Sequence, residues 1–221
     1  MIFIHEPYKF DVIEQVTDFN GKRYYVTPKG DQYPSITTML KILSDAGIKQ
    51  WREKVGAKQA DFISNAASSR GKELHLIVEK YLLNEGIIHS ANPLTLDMFM
   101  SMKIVLDASV NIVHNQEFSV YSNILKCAGT ADLLCTWNSK LTIADFKTSK
   151  KKKREEWIEN YFLQAAMYAA CIYEMTKIKV PQLVILIGVD DSLPQLFVKK
   201  TKDYIKPALD FIDKYYHETS N

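Results

Sequence analysis

The sequence predicts an α/β protein with a mixed central β-sheet flanked by helices and a helical N-terminal half. Three observations carry this. Residues 35–113 are dominated by apolar residues at helical spacing, and residues 114–149 by short β-branched and apolar runs broken by turn signals. The remainder alternates helix, strand, strand and helix, an order that suits a sheet covered on its faces. At 221 residues the chain is read as one domain, 1–221, with strands and turns over 1–34, a helical part over 35–113 and a sheet core with flanking helices over 114–221.

In order, Arg23 to Thr27 has β character, Asn20-Gly21 and Lys29-Gly30-Asp31 mark turns, and Pro34 ends the segment. Ser35 is an N-cap for a helix to about Leu43, and Gly47 opens a helical stretch holding Trp51 and Val55. Residues 57–84 are helical with a break near Ala67-Ser68-Ser69, where Ser69 caps a second helix that Asn84-Glu85-Gly86 ends. On that second helix Leu74, Ile77, Val78 and Tyr81 form the apolar stripe, while Gly71, His75 and Glu79 share an adjacent face. Another helix follows Asn92-Pro93 to about Val113. Strands are expected at Glu117–Tyr121, Lys126–Trp137 and Leu141–Thr148, a helix at Glu155–Met175, strands at Val180–Val189 and Gln195–Lys200, and a last helix at Asp203–Tyr216. The Glu155–Met175 helix is apolar over two stripes, one through Ile158 and Phe162 and the other through Trp157, Tyr161, Gln164 and Tyr168. Gln164 is then a buried polar group in need of a partner.

Composition bounds the chemistry. The chain is 47% hydrophobic and 24% charged, with a net charge of +2. Residues 140–154 alone carry +6, which leaves −4 elsewhere, so one edge is expected to be positive. Three scattered cysteines, with no C-x-x-C pair, argue against a disulfide framework or a cysteine metal cluster and favour a reduced, intracellular setting. Neither a signal peptide nor a membrane span is read, so no membrane partner is expected.

The stretch Gly129–Ser149 concentrates the candidate chemistry. Asn138-Ser139-Lys140 joins two strands, and strand alternation puts Asp145 and Lys147 on one side with Asp132 on the partner strand. Two carboxylates and an amine there make either a buried ion network or a metal-dependent active site. Carboxylates suit Mg²⁺ or Mn²⁺, which lower the pKa of bound water and stabilise charge on a phosphoryl oxygen. A nearby lysine positions or deprotonates the attacking water, or neutralises the charge developing on the phosphorane. No nucleophile and base pairing suited to acyl transfer is present. His75 reads either as a boundary residue or, with Glu79, as a nitrogen and oxygen donor for the same ion.

His75-x-x-x-Glu79, Gly129-Thr130-Ala131-Asp132, Asp145-Phe146-Lys147-Thr148-Ser149 and Gln164-x-x-x-Tyr168 together resemble the PD-(D/E)xK nuclease superfamily and its RecB-like branch. Tyr33-Pro34-Ser35-Ile36-Thr37 and Ser69-Arg70-Gly71 make the chain most similar to the mitochondrial genome maintenance exonuclease group. The resemblance spans residues 33–170 and implies a restriction-endonuclease-like fold. It also implies metal ligands His75, Asp132, Asp145 and the Phe146 carbonyl, with Glu79 behind them or acting through water. Lys147 would be the catalytic lysine, beside Asp132 and Asp145. Gln164 and Tyr168 would orient the site or contact DNA, with Arg70, Thr148, Ser149, Lys150, Lys151 and Lys152 as further DNA contacts. The implied protein is a Mg²⁺- or Mn²⁺-dependent deoxyribonuclease, an exonuclease on single-stranded DNA or DNA ends, acting in replication, repair or recombination beside proteins of those processes. A phage or bacterial cytoplasm fits that role. No iron–sulfur cluster is expected, because three scattered cysteines cannot supply the four thiolates used by CRISPR-associated nucleases of this branch. The competing reading is a non-catalytic DNA-binding or assembly subunit with a nuclease-like fold.

Overall fold

The computed structural model describes residues 2–19, 21–86 and 91–219. Asn20, half of the first expected turn, lies outside them. A mixed six-stranded sheet has the order β1 (Ile4–His5), β5 (Val110–Ser122), β6 (Cys127–Trp137), β7 (Lys140–Ser149), β8 (Gln182–Val189) and β9 (Gln195–Lys200). The pairs β5–β6, β6–β7 and β8–β9 are antiparallel, whereas β1–β5 and β7–β8 are parallel. Parallel pairing of β7 with β8 demands a crossover, which α5 (Glu159–Thr176) supplies. A second, three-stranded antiparallel sheet is made of β2 (Glu14–Thr17), β3 (Arg23–Val26) and β4 (Gln32–Pro34).

The main sheet is covered on both faces. Every residue of β8 is buried, which is why it reads as an unbroken apolar run rather than an alternation. Its Leu183, Ile185 and Ile187 pack with α5 and α6 (Thr201–Thr219). Val184 and Leu186 pack on the other face with α3 (Ala57–Leu82) and α4 (Pro93–Ser109). Gly188 lets α4 approach that closely, since a Cβ there would stand 2.3 Å from Met98 Cγ.

The Asn138-Ser139 turn has both residues at positive φ, 47° and 64°, as a tight hairpin with right-handed strand twist requires. Ser35 caps α1 (Ile36–Leu40) by accepting from the Thr38 amide. Several boundaries differ from expectation. α3 runs through Ala67-Ser68-Ser69 unbroken, so Ser69 caps nothing. Serine inside an exposed helix costs at most about 0.7 kcal/mol, and propagation from both sides carries the helix across. Gly47 lies inside α2 (Ile42–Val55), which ends instead at Gly56 with φ 85°. α4 stops at Ser109, and its expected last turn is the start of β5, where the β-branched Val110, Ile112 and Val113 pair with β6 and β1. Glu155–Trp157 is a 3-10 turn ahead of α5, and Trp157 leaves the buried stripe to lie 61% exposed beside Arg154.

Candidate active site

The sheet forks at its centre. β6 and β7 pair only as far as Leu133↔Ala144. Beyond that step residues 127–131 of β6 run with β5, and Asp145–Ser149 run with β8. The next step along the ladder would pair Asp132 with Asp145. On β5, Glu117 falls between the pairs Gln116↔Leu133 and Phe118↔Ala131, opposite Asp132. Three neighbouring strands therefore bring three carboxylates abreast at the mouth of the fork.

Each carboxylate is held differently. Asp132 Oδ2 accepts the Phe146 amide hydrogen at 2.8 Å, a side-chain bond bridging the fork. Asp145 is fully buried; its Oδ1 accepts from Gln164 Nε2 at 2.8 Å, and its Oδ2 faces the Lys147 ammonium at 2.5 Å. Glu117 sits in the left-handed region at φ 42°. For a non-glycine residue inside a strand that costs on the order of 1–3 kcal/mol, strain of the kind found at functional positions.

α3 closes one side with His75. Its Nδ1 lies 3.4 Å from Glu117 Oε1 and 3.7 Å from Asp132 Oδ2, and its Nε2 is 2.8 Å from the Phe146 carbonyl oxygen. α5 closes the other side. There Gln164 Nε2 also reaches the Tyr168 hydroxyl at 3.2 Å, and the Lys147 ammonium stands 5.3 Å from the Tyr161 ring centre. Tyr168 needs Gly129 beneath it, since a Cβ on residue 129 would lie 2.7 Å from Tyr168 Cε1. This gives a physical reason for the glycine that opens Gly129-Thr130-Ala131-Asp132. A cleft of about 630 Å³ over the fork is lined by His75, Glu79, Glu117, Asp132, Lys147 and Gln164, with Arg23 and Lys72 adding positive charge.

Charges in the fork depend on one another. Burial works against the His75 proton, but Asp132 and the Glu117 bond outweigh it and hold the imidazole up, to about 9. Burial pushes Asp145 up to about 6 even with an ammonium beside it, and burial raises Asp132 as well. Burial would strip Lys147 of its proton, but Asp145 and Asp132 override that and raise its pKa. Glu79 is raised by burial and then by Glu117.

His75, Glu117 and Asp132 place one ligand atom each within 4.8 Å of one another, a group that could hold a metal ion. The donor set of carboxylate oxygens and one imidazole fits a hard divalent cation. Neighbouring ligand atoms around an octahedral ion with bonds of about 2.1 Å lie about 3 Å apart, close to the 3.4 and 3.7 Å contacts of His75. A cation would also relieve the repulsion of three adjacent carboxylates.

Two of the expected ligands, His75 and Asp132, thus meet. Asp145 stands behind them, engaged by Lys147 and Gln164. The Phe146 carbonyl is occupied by His75 Nε2, and as the acceptor of that N–H it would fix the imidazole tautomer with Nδ1 free for an ion. Glu79 lines the cleft without joining the three-residue group. Glu117 is a ligand candidate that the sequence motifs do not mark; the one local signal is that it is the lone carboxylate of β5, next to the polar His114, Asn115 and Gln116.

The residues expected to contact DNA scatter more widely. Arg70 is paired with Asp190 at 3.0 Å, tying α3 to the β8–β9 turn. Ser149 is buried and its hydroxyl donates to the Lys151 carbonyl at 2.6 Å, shaping the turn out of β7. Thr148 is half-buried, and Lys150, Lys151 and Lys152 are exposed beyond the strand end. The three cysteines are buried free thiols. Among the described residues no helix is long and apolar enough to cross a membrane.

No family model matches this chain, and no curated protein matches it. Among solved structures it is similar to a crystal structure of a protein from Eubacterium rectale provisionally named an exonuclease. The two share 12% identity over 66% of this chain and 64% of that one, with a TM-score of 0.41. The chain spans under two thirds of that protein's length.

Proposed function

We propose that the fork is the active site of a Mg²⁺- or Mn²⁺-dependent nuclease of the PD-(D/E)xK type, hydrolysing phosphodiester bonds in DNA. The observation that carries this is the convergence of Glu117, Asp132 and Asp145 on three adjacent strands with Lys147 and His75 on either side. An ion held there by His75, Glu117 and Asp132, with Asp145 on the adjoining strand, would supply a metal-activated water and a Lewis acid for the phosphoryl oxygen.

The chain's own residues do the rest. Asp145 and Asp132 hold the Lys147 ammonium in its charged form, and from there it would orient the water and neutralise the charge developing on the phosphorane. Gln164 fixes Asp145 through Oδ1, which leaves Oδ2 for the lysine or an ion. Arg23 and Lys72 in the cleft wall are placed for backbone phosphates, and Lys150, Lys151 and Lys152 extend that charge past the end of β7. Substrates with a free single-stranded end, and a role in replication, repair or recombination, follow from the family resemblance.

The test is digestion of end-labelled linear and of circular single-stranded DNA with Mg²⁺ or Mn²⁺. The parent should degrade the linear strand and spare the circle, while Asp145→Asn and Lys147→Ala proteins should degrade neither. Equal degradation by parent and variants would remove the assignment. Mn²⁺ binding without any hydrolysis would favour the non-catalytic subunit instead, and cutting of the circle would remove the need for an end.

A further inference from the structure

A second cavity, of about 720 Å³, lies at the opposite end of β7 and β8. Lys140 opens β7 on its wall, five residues before Asp145, which puts it roughly 17 Å from the catalytic fork along the strand. Its floor is apolar: Ala169 and Val180 are buried there, and Tyr173, Val198 and Ile205 complete it. Its rim is cationic, with Lys140, Lys179, Lys199, Lys200 and Lys202 around the opening and no carboxylate among the lining residues. Only Lys199 has an ion-pair partner among the described residues, Glu155. The remaining four are exposed.

Ammonium groups gathered around an apolar hollow match one kind of ligand: an apolar group flanked by negative charge. β9, which carries Val198, Lys199 and Lys200, is also the edge of the main sheet, so among the described residues the backbone on its outer side has no strand partner. A peptide can use such an edge, the hollow and the lysines together, through main-chain pairing, side-chain insertion and charge. A fatty acid can use only two of these.

We propose that this cavity is a docking site for an acidic segment of a partner protein, one carrying an aromatic or large aliphatic side chain between Asp and Glu residues. The segment seats that side chain on Val180, Val198 and Ile205 and lays its carboxylates against Lys140, Lys179, Lys200 and Lys202. The site goes beyond the proposed nuclease activity and uses none of its residues, so each stands or falls alone.

The experiment is fluorescence anisotropy of the full chain with a fluorescein-labelled acidic peptide containing a central Leu-Phe pair. Controls are the same peptide with Ala-Ala at the centre, anionic phosphatidylserine vesicles and a single-stranded oligonucleotide as competitors. Binding should saturate, and should weaken about tenfold or more with the Ala-Ala peptide or in a Lys179→Glu/Lys202→Glu protein, and fall with added salt. The circular dichroism spectrum and urea denaturation midpoint of that variant should match the parent's, which reports that it is folded whether or not the fork is a nuclease site. Equal binding of the Ala-Ala peptide, full binding by the double variant, or displacement by vesicles or oligonucleotide without a matching preference for the Leu-Phe peptide would each overturn the proposal.

Discussion

Asp132 Oδ2 accepts the Phe146 amide hydrogen at 2.8 Å across the point where β6 and β7 part. One oxygen thus holds the fork together while the same carboxylate faces His75. Asp132→Asn should separate these duties, since an amide oxygen still accepts the bond but no longer brings a charge. We expect a near-parental denaturation midpoint and Mn²⁺ affinity reduced at least about 100-fold by calorimetry. Asp132→Ala should in addition lose about 1–3 kcal/mol of stability by leaving the amide unpaired.

Gln164 is the partner that a polar residue in a buried stripe demanded, and it is spent on Asp145. Gln164→Leu removes the only side-chain donor to Oδ1 among the described residues and should cost about 1–3 kcal/mol in urea denaturation. Hydrolysis should fall roughly 10–100-fold through misorientation of Asp145, with Mn²⁺ affinity less affected than in Asp132→Asn.

Glu117 combines backbone strain with like-charge crowding, both of which are relieved by glycine. Above about pH 9, where His75 no longer carries the proton that Glu117 helps to hold, Glu117→Gly should therefore leave the metal-free protein as stable as the parent or about 1 kcal/mol more so, while lowering Mn²⁺ affinity. Loss of stability without loss of affinity would mean that Glu117 is structural.

His75 titrates near 9 in the metal-free protein because of Asp132 and Glu117. Its folded pKa lies above its unfolded one, so the stabilisation it gives is complete below about pH 6.5 and is lost as pH rises towards 9. An ion needs the neutral imidazole. Metal binding at pH 7.5 should thus expel about one proton, read by calorimetry in buffers of different ionisation enthalpy, and His75→Ala should abolish most of that release.

The site was legible in the sequence where its logic is local. The two-residue period set Asp145 beside Lys147, the turn at Asn138-Ser139 put Asp132 on the neighbouring strand, and the four-residue helical period grouped His75 with Glu79. Glu117 was not legible because its place depends on a long-range register between β5 and β6 that shifts between Val110 and Ile112 and again between Val113 and Asn115. The partner of Arg70, expected as a DNA contact, is hidden for the same reason; Asp190 lies 120 residues away in sequence. The fold class came through because β8 and α5 are apolar enough to announce burial. The helix boundaries at Ser69 and Ser109 did not, since tertiary pairing and helix propagation override weak local signals there.

The central claim is that Glu117, Asp132 and His75 form one metal centre at the fork. Anomalous diffraction from crystals grown with Mn²⁺ tests it most directly. The account predicts an anomalous peak within bonding distance of His75, Glu117 and Asp132 that vanishes in Asp132→Asn crystals. No peak at the fork, or a peak that ignores that substitution, would contradict it.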